Sequence, residues 1–371
     1  MSRQPMDMGD PRLQDTISAC EMGLRRLLHT ATAEIFLYAC NGHGVWEAVV
    51  ENLLPPGGLV LLPGTGHFSE SWAQQTEALG RRVQRTVWAP GQPIDVAAVA
   101  QALRDDTAHH IQAVFAVHTD TCSGVTSDMA ALRAAIDSTG HPALLVVDAV
   151  ASAGVEHLAM DALRANVVLG ASQKGLMCPP GLGFVAVDGA AMALCKANPA
   201  PRFYWDWVRR QGPMAYQKFC GTPPQNLLAG LQAALALIFT EGLAQVMARH
   251  QALAGAVHAA VAAWQLGVPA GGALGFFCTE PAWRSAAVTT ITVPAGFDVD
   301  AFRDVARERF QVSVAGGLGP LQGRAFRIGH LGDQNAASIL GALASVEAAL
   351  RVVGLPVGPG VQAAVRALSS G

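Results

Sequence analysis

The chain has 371 residues, 51% of them hydrophobic and 14% charged, with a net charge of −3; soluble domains average about 25% charged residues. That length supports two domains around a large core, and its basic pairs (Arg25-Arg26, Arg81-Arg82, Arg209-Arg210) form no stripe able to neutralise a phosphate backbone, which excludes nucleic acid as a partner. The 25 basic residues are 22 arginines and three lysines, Lys174, Lys196 and Lys218, so chemistry that needs an amine has three candidates.

Residues 1–11 hold no apolar core of signal-peptide length, and no window approaches 18 uninterrupted apolar residues, so a soluble, cytoplasmic protein without a membrane partner is expected. From 35 to 190, apolar runs alternate with segments of helical period, the rhythm of parallel strands joined by crossover helices. Strands are predicted at 35–38, 59–62, 82–87, 113–118, 144–148, 167–170 and 183–187. Helices are predicted at 45–54, 69–79, 96–103 and 129–136, where apolar residues recur three and four apart. The fully apolar run 144–147 suits a central strand buried on both faces. After 200 the pattern changes. Pro223-Pro224 marks a helix start, and 225–264 is a long alanine- and leucine-rich helical stretch that leaves the first domain. Strands at 288–293 and 326–328, helices at 299–309 and 336–352, and a tight Gly316-Gly317-Leu318-Gly319-Pro320 turn then make a smaller α+β domain. The seven cysteines are scattered, odd in number and never spaced C-x-x-C, which points to reduced thiols and away from a disulfide framework or a zinc cage.

Three strand ends carry candidate chemistry. Asp148 ends the apolar strand 143–147 at the carboxyl edge, where open α/β sheets bind ligands; it caps a helix, ligates a metal, or pairs with a ligand cation. No second carboxylate or histidine stands near it at metal-ligand spacing. Lys174 follows the next apolar strand and precedes the Pro179-Pro180-Gly181 turn. It is either a snorkelling surface amine or an imine-forming amine with its pKa lowered by burial and neighbouring charge. Lys196 ends a helix and Lys218 lies in a loop, both solvated on this reading. The third end is the Asn41-Gly42-His43-Gly44 turn, which opens the helix carrying Trp46 and Glu47 and offers free backbone N–H groups to a phosphate. A second turn, Gly64-Thr65-Gly66-His67-Phe68-Ser69, resembles a dinucleotide G-x-G-x-x-G without its third glycine and without the acidic residue about 20 positions on. Phe68 there is either a core side chain or a ring that stacks on a flat cofactor. A phosphate at a helix start, a stacking ring, an aspartate for a ring nitrogen and a lysine for an aldehyde together match the demands of pyridoxal 5'-phosphate (PLP).

The segments Ala116-Val117-His118-Thr119-Asp120-Thr121-Cys122-Ser123-Gly124-Val125, Val147-Asp148-Ala149-Val150-Ala151-Ser152 and Gly170-Ala171-Ser172-Gln173-Lys174, followed by Pro179-Pro180-Gly181, resemble the class V, fold-type I PLP aminotransferases. The likeness is strongest to the serine–glyoxylate and alanine–glyoxylate aminotransferases and extends to Arg324-Ala325-Phe326-Arg327-Ile328-Gly329-His330-Leu331-Gly332. It implies an α/β fold with a mainly parallel seven-stranded sheet in a large PLP-binding domain, residues 1–245, and a small C-terminal domain, 246–371. It further implies that Lys174 forms the bond to PLP and shuttles the Cα proton, that Asp148 pairs with the pyridine nitrogen, and that Val150 and Phe68 pack on the ring. Thr121 aligns with a hydroxyl residue beside the ring, Gly42, His43 and Gln173 with phosphate-binding positions, and Arg327 with an arginine that grips the substrate carboxylate. Thr222 aligns with a residue that reaches the phosphate of a neighbouring subunit, so a homodimer with shared sites is implied. The reaction implied is ping-pong transfer of an amino group from serine or alanine to glyoxylate or a similar 2-oxo acid.

The chain departs from the family in places. It is expected to start after the family's opening Pro-Gly-Pro segment, so part of the substrate pocket is missing or rebuilt. Asn41 stands for a small hydroxyl residue, Cys122 for a serine, and Phe219-Cys220-Gly221 for a stretch that holds a large aromatic. Two alternatives follow: a PLP-dependent lyase or desulfurase, which needs a mobile-loop cysteine that is not identifiable, and a weakly active binding protein that keeps the fold.

Overall fold

Alternate side chains of the apolar runs enter opposite cores, as the two-residue period of a strand requires. Leu145 and Val147 pack with Leu13 and Ile17, whereas Val146 packs with Trp72 and Phe115. A computed structural model describes residues 4–266, 268 and 272–370; residues 1–3 of the opening segment lie outside the described residues.

In chain order the strands are β1 (Glu34–Tyr38), β2 (Leu59–Leu62), β3 (Arg82–Arg85), β4 (Ile111–Val117), a hairpin of β5 (Thr119–Asp120) and β6 (Val125–Thr126), then β7 (Leu144–Asp148), β8 (Val167–Ala171) and β9 (Gly183–Val187). Seven of them form one sheet, ordered β1-β9-β8-β7-β4-β2-β3. Strands β3, β2, β4, β7 and β8 pair in parallel, while β9 runs antiparallel to both β8 and β1. The connection from β8 to β9 contains no helix, and without a crossover a chain returns to its sheet antiparallel. β3 stops at Arg85, short of the predicted 87: as an edge strand it has one neighbour, and its charged ends face solvent. The helix Pro11–Leu27, capped by Asp10 with Pro11 in its first turn, covers one face of the sheet.

The predicted helical stretch 225–264 is two helices, Gln225–Glu241 and Leu243–Trp264, bent by 87° at Gly242. The first packs on the core of the large sheet and the second on a separate core around Trp264, Phe302 and Phe326, so the apolar face must change direction between them. Gly242 makes the corner at φ +94°, a conformation costly for a residue with a Cβ. No single described helix is long and apolar enough to cross a membrane. The second core lies against an antiparallel sheet ordered β10 (Gly275–Phe276), β11 (Val288–Thr292), β13 (Ala325–Gly329) and β12 (Ala315–Gly316). The predicted turn at 316–320 comprises the end of β12 and a 3₁₀ turn, Gly319–Leu321.

The two sheets are tied through Glu156. Its carboxylate accepts from Thr119 Oγ1 (2.6 Å) and Thr126 Oγ1 (2.8 Å) on the hairpin, and from Ser285 Oγ (3.0 Å) and the Ala286 N–H (2.9 Å) leading into β11. This fixes the loop after β4 against the small sheet. Gly242→Ala is expected to lower stability by about 1–3 kcal/mol in urea unfolding, because alanine is strained at this φ; an unchanged midpoint would show that the corner does not need glycine.

Candidate functional site

The carboxyl ends of β1, β2, β4, β7 and β8 open into a cavity of about 240 Å³. Each contributes one loop. After β1, Asn41 caps the helix Gly42–Leu53, its Oδ1 accepting from the Gly44 N–H at 3.3 Å. Asn41, Gly42 and His43 line the cavity, and among the described residues the N–H groups of Gly42 and His43 meet no acceptor. At Gly42 a Cβ would lie 3.3 Å from Val150 Cγ2, so the glycine lets the helix start approach the β7 loop. Burial and nearby His67 hold the His43 imidazole below its usual pKa.

After β2, the turn Gly64–Ser69 leads into the helix His67–Ala78, whose half-buried Phe68 ring faces the cavity. Most of its backbone donors are already used. The Phe68 N–H donates to Asp120 Oδ2 (3.0 Å), and those of Thr65 and Gly66 donate to Ser69 Oγ (2.9 and 3.2 Å). The dinucleotide-like turn therefore has fewer N–H groups to spare for a phosphate at this cavity than the Asn41 turn, whose Gly42 and His43 line it. After β4, Thr121 lines the cavity. Asp120, fully buried, joins this loop to the Phe68 turn because its other oxygen accepts from the Cys122 N–H at 2.8 Å.

Asp148, 4% exposed at the end of β7, accepts from the Val150 N–H through Oδ1 (2.7 Å) and from the Trp46 indole through Oδ2 (2.8 Å). Burial pushes its pKa up to about 6; Asp120 adds to the rise, while the two hydrogen bonds and Lys174 oppose it. Lys174, half-buried after β8, lines the same cavity, its pKa lowered by burial and by Arg327. Gln173 beside it presents a buried Oε1 with no hydrogen-bond partner. A half-turn of that amide would offer its NH₂ to a phosphate oxygen. Two free helix-start N–H groups, an orphaned amide, a buried carboxylate and a basic amine with a lowered pKa fit a ligand that has a phosphate, a ring nitrogen and an aldehyde.

Two predicted residues lie outside the lining. Arg327, on β13, donates from Nε to Gly316 O and from Nη1 to Thr121 O, both at 2.8 Å, and forms no ion pair among the described residues. Thr222 is exposed on the turn before Gln225–Glu241, away from this cavity. Lys196 is exposed as expected, but Lys218 is not a solvated loop residue: it sits in the helix Ala215–Phe219 with Nζ 2.5 Å from Glu21 Oε1. Cys122 is buried, its thiol donating to Leu318 O, and Phe219 is buried beside a left-handed Cys220. Sequence reasoning passed over Trp46, Thr119 and Asp120. Trp46 carried one signal, since it lies four residues after Gly42 and so on the same helix face.

The family model for class-V aminotransferases matches residues 9–312. The serine–glyoxylate aminotransferase of Methylorubrum extorquens is 39% identical over 345 residues, 91% of this chain and 83% of that protein. The L-aspartate–glyoxylate aminotransferase of Paracoccus denitrificans is 38% identical over 346 residues, 92% of this chain and 85% of its own. Among solved structures, pyridoxamine–pyruvate aminotransferase from Mesorhizobium loti superposes with TM-score 0.88 at 26% identity, covering 99% of this chain and 92% of that one. Ureidoglycine–glyoxylate aminotransferase from Bacillus subtilis shares the fold with TM-score 0.89 at 24% identity, covering 99% and 93%.

The raised pKa of Asp148 has a measurable sign. Its native form holds a proton that the unfolded chain has released between about pH 4 and pH 6, so its contribution to stability is present below that window and lost as pH rises through it. Relative to Asp148→Asn, the ligand-free wild type should lose about 2 kcal/mol of unfolding free energy between pH 4 and pH 7. Urea unfolding at each pH measures the difference, and parallel profiles would contradict a raised Asp148.

Proposed function

The chain belongs to the class-V aminotransferases, PLP-dependent transaminases of fold-type I, and from that premise we propose that it carries an amino group from a small amino acid, serine or alanine, to glyoxylate or a similar 2-oxo acid in two half-reactions. The observation that carries this reading is the convergence of Lys174, Asp148 and the open helix start at Asn41 on one cavity. The names of the relatives support glyoxylate as acceptor, and one of them adds aspartate as a donor to test.

When bound, PLP supplies an aldehyde for amine exchange and a cationic ring that draws electron density from the substrate Cα. Lys174 Nζ is the amine that anchors the aldehyde. Its lowered pKa raises the share of neutral amine at physiological pH, so Nζ would serve as the base that takes and returns the substrate Cα proton. Asp148 would hold a proton on the ring nitrogen by charge pairing, and Val150 and Phe68, which line the same cavity, would pack against the ring. Gly42, His43 and Gln173, with the Asn41 cap, take the phosphate at the helix start, and Thr121 stands beside the ring. Arg327 grips the substrate carboxylate: its Nη2 meets no acceptor among the described residues, and its planar fork suits bidentate binding.

Thr222 serves a second copy. Its exposed position, with Phe203, Tyr204, Met214 and Tyr216 exposed just before it in sequence, supports a homodimer in which Thr222 reaches the partner's phosphate site. The seven free cysteines suit a reducing compartment, so the cytoplasm is the location proposed. Six of those thiols (Cys20, Cys40, Cys122, Cys178, Cys195, Cys278) are pushed up in pKa by burial, opposite to what a persulfide-carrying thiolate needs, which weighs against a desulfurase.

The PLP-loaded protein mixed with serine, alanine or aspartate should lose its yellow absorbance and release the matching 2-oxo acid, and glyoxylate should restore the colour and yield glycine. Release of ammonia, or of sulfide from cysteine, with the colour retained would favour a lyase. Arg327→Gln should lower kcat/KM for the amino donor roughly 30- to 150-fold, the cost of about 2–3 kcal/mol for a lost charged hydrogen-bond pair; an unchanged value would remove Arg327 from the substrate site.

A further inference from the structure

Trp46 lines the cavity yet has none of the roles above. Its indole N–H reaches across 102 positions of sequence to donate to Asp148 Oδ2 at 2.8 Å, with both side chains buried. The Val150 N–H anchors Oδ1, so the carboxylate has a donor at each oxygen and its plane is fixed. The indole is itself clamped. It stacks on Trp72 (5.4 Å between centroids, 10° between planes), which stacks on Phe115 (4.6 Å, 19°); His43 packs on it at 4.5 Å and Phe68 meets it edge-on at 6.4 Å. The neighbouring Trp72 indole nitrogen is buried without a partner, so within this ladder the Trp46 nitrogen alone is supplied with an acceptor.

We propose that Trp46 is a positioning residue for the PLP ring: its indole N–H keeps the Asp148 carboxylate ionised and aimed, and its ring braces Phe68. The proposal rests on the PLP reading above. Its physical content is that a hydrogen bond to the charged form of a buried carboxylate favours that form. The charged groups acting on Asp148 are Asp120, which opposes ionisation, and Lys174, which favours it. Without the indole donor the balance moves toward a neutral Asp148, and a neutral carboxyl no longer holds a proton on the ring nitrogen. Because Trp46 lies one helical turn beyond Gly42, one helix then sets both ends of the cofactor site: its start faces the phosphate, and its next turn fixes the counter-ion of the ring.

Two measurements test this. In the full-length protein freed of PLP and labelled with ¹⁵N at its indoles, the Trp46 signal, assigned by its loss in Trp46→Phe, should shift with a midpoint near pH 6, and Asp148→Asn should abolish the shift. PLP affinity, read by absorbance titration, should fall at least tenfold in Trp46→Phe but less than twofold further when Trp46→Phe is added to Asp148→Asn, the non-additivity expected of a residue acting through Asp148. A Trp46 indole signal that does not follow Asp148, or equal weakening in both backgrounds, overturns the proposal. The indole titration is made on the unmutated chain, so it decides even if Trp46→Phe does not fold. If the wild type takes up no PLP, the proposed function fails, while the indole titration still reports whether the Trp46–Asp148 pairing exists.

Discussion

A carboxylate at the end of a strand buried on both faces is the constraint that organises this structure. Ionised and unpaired there, Asp148 would carry a desolvation cost of several kcal/mol. The fold meets that cost only in part. Two hydrogen bonds engage its oxygens, and burial still leaves its pKa near 6. The remaining imbalance favours a cationic ligand in the cavity beside it. A protonated pyridine ring would be such a partner, so on the proposed function the residue that weakens the ligand-free protein would strengthen the loaded one.

The second buried carboxylate, Asp120, plays a different part. Its oxygens are spent on the N–H groups of Phe68 and Cys122, so it joins two loops and leaves nothing for a ligand. Glu156 does the same between the large and small sheets. These two clasps bring Thr121 under the Arg327 guanidinium, which is how a residue on the small sheet comes to act on the pKa of Lys174 after β8. Arg327 on the small sheet and the cavity at the large sheet's carboxyl edge are thus joined through one loop.

Much of this was legible in the sequence because the signals were local. The run 144–148 is apolar up to its final aspartate, and its bounds as a strand match the prediction. Lys174 was singled out by the scarcity of lysine and its place after a strand. The direction of β9 was not read from its own residues, since Gly-Phe-Val-Ala-Val looks the same either way; the evidence lay in the helix-free connection before it. The corner at Gly242 was hidden because alanine and leucine recur all round both helices, so neither shows a sharp apolar face whose change of direction would mark the turn. The helix Gly360–Ser369 opens after Pro359 with no capping side chain and no acidic first turn, so no start signal marks it, and the pairing of Trp46 with Asp148 exists only once the sheet has formed.

The scarcity of lysine also supplies the most direct test of the account. Borohydride reduction of the PLP-loaded protein fixes the cofactor to whichever amine holds it, and peptide mapping then reads the site among three lysines. Stoichiometric label is expected on Lys174 and none on exposed Lys196 or on Lys218, which is paired with Glu21. Label on either of those two, or none at all, would contradict it.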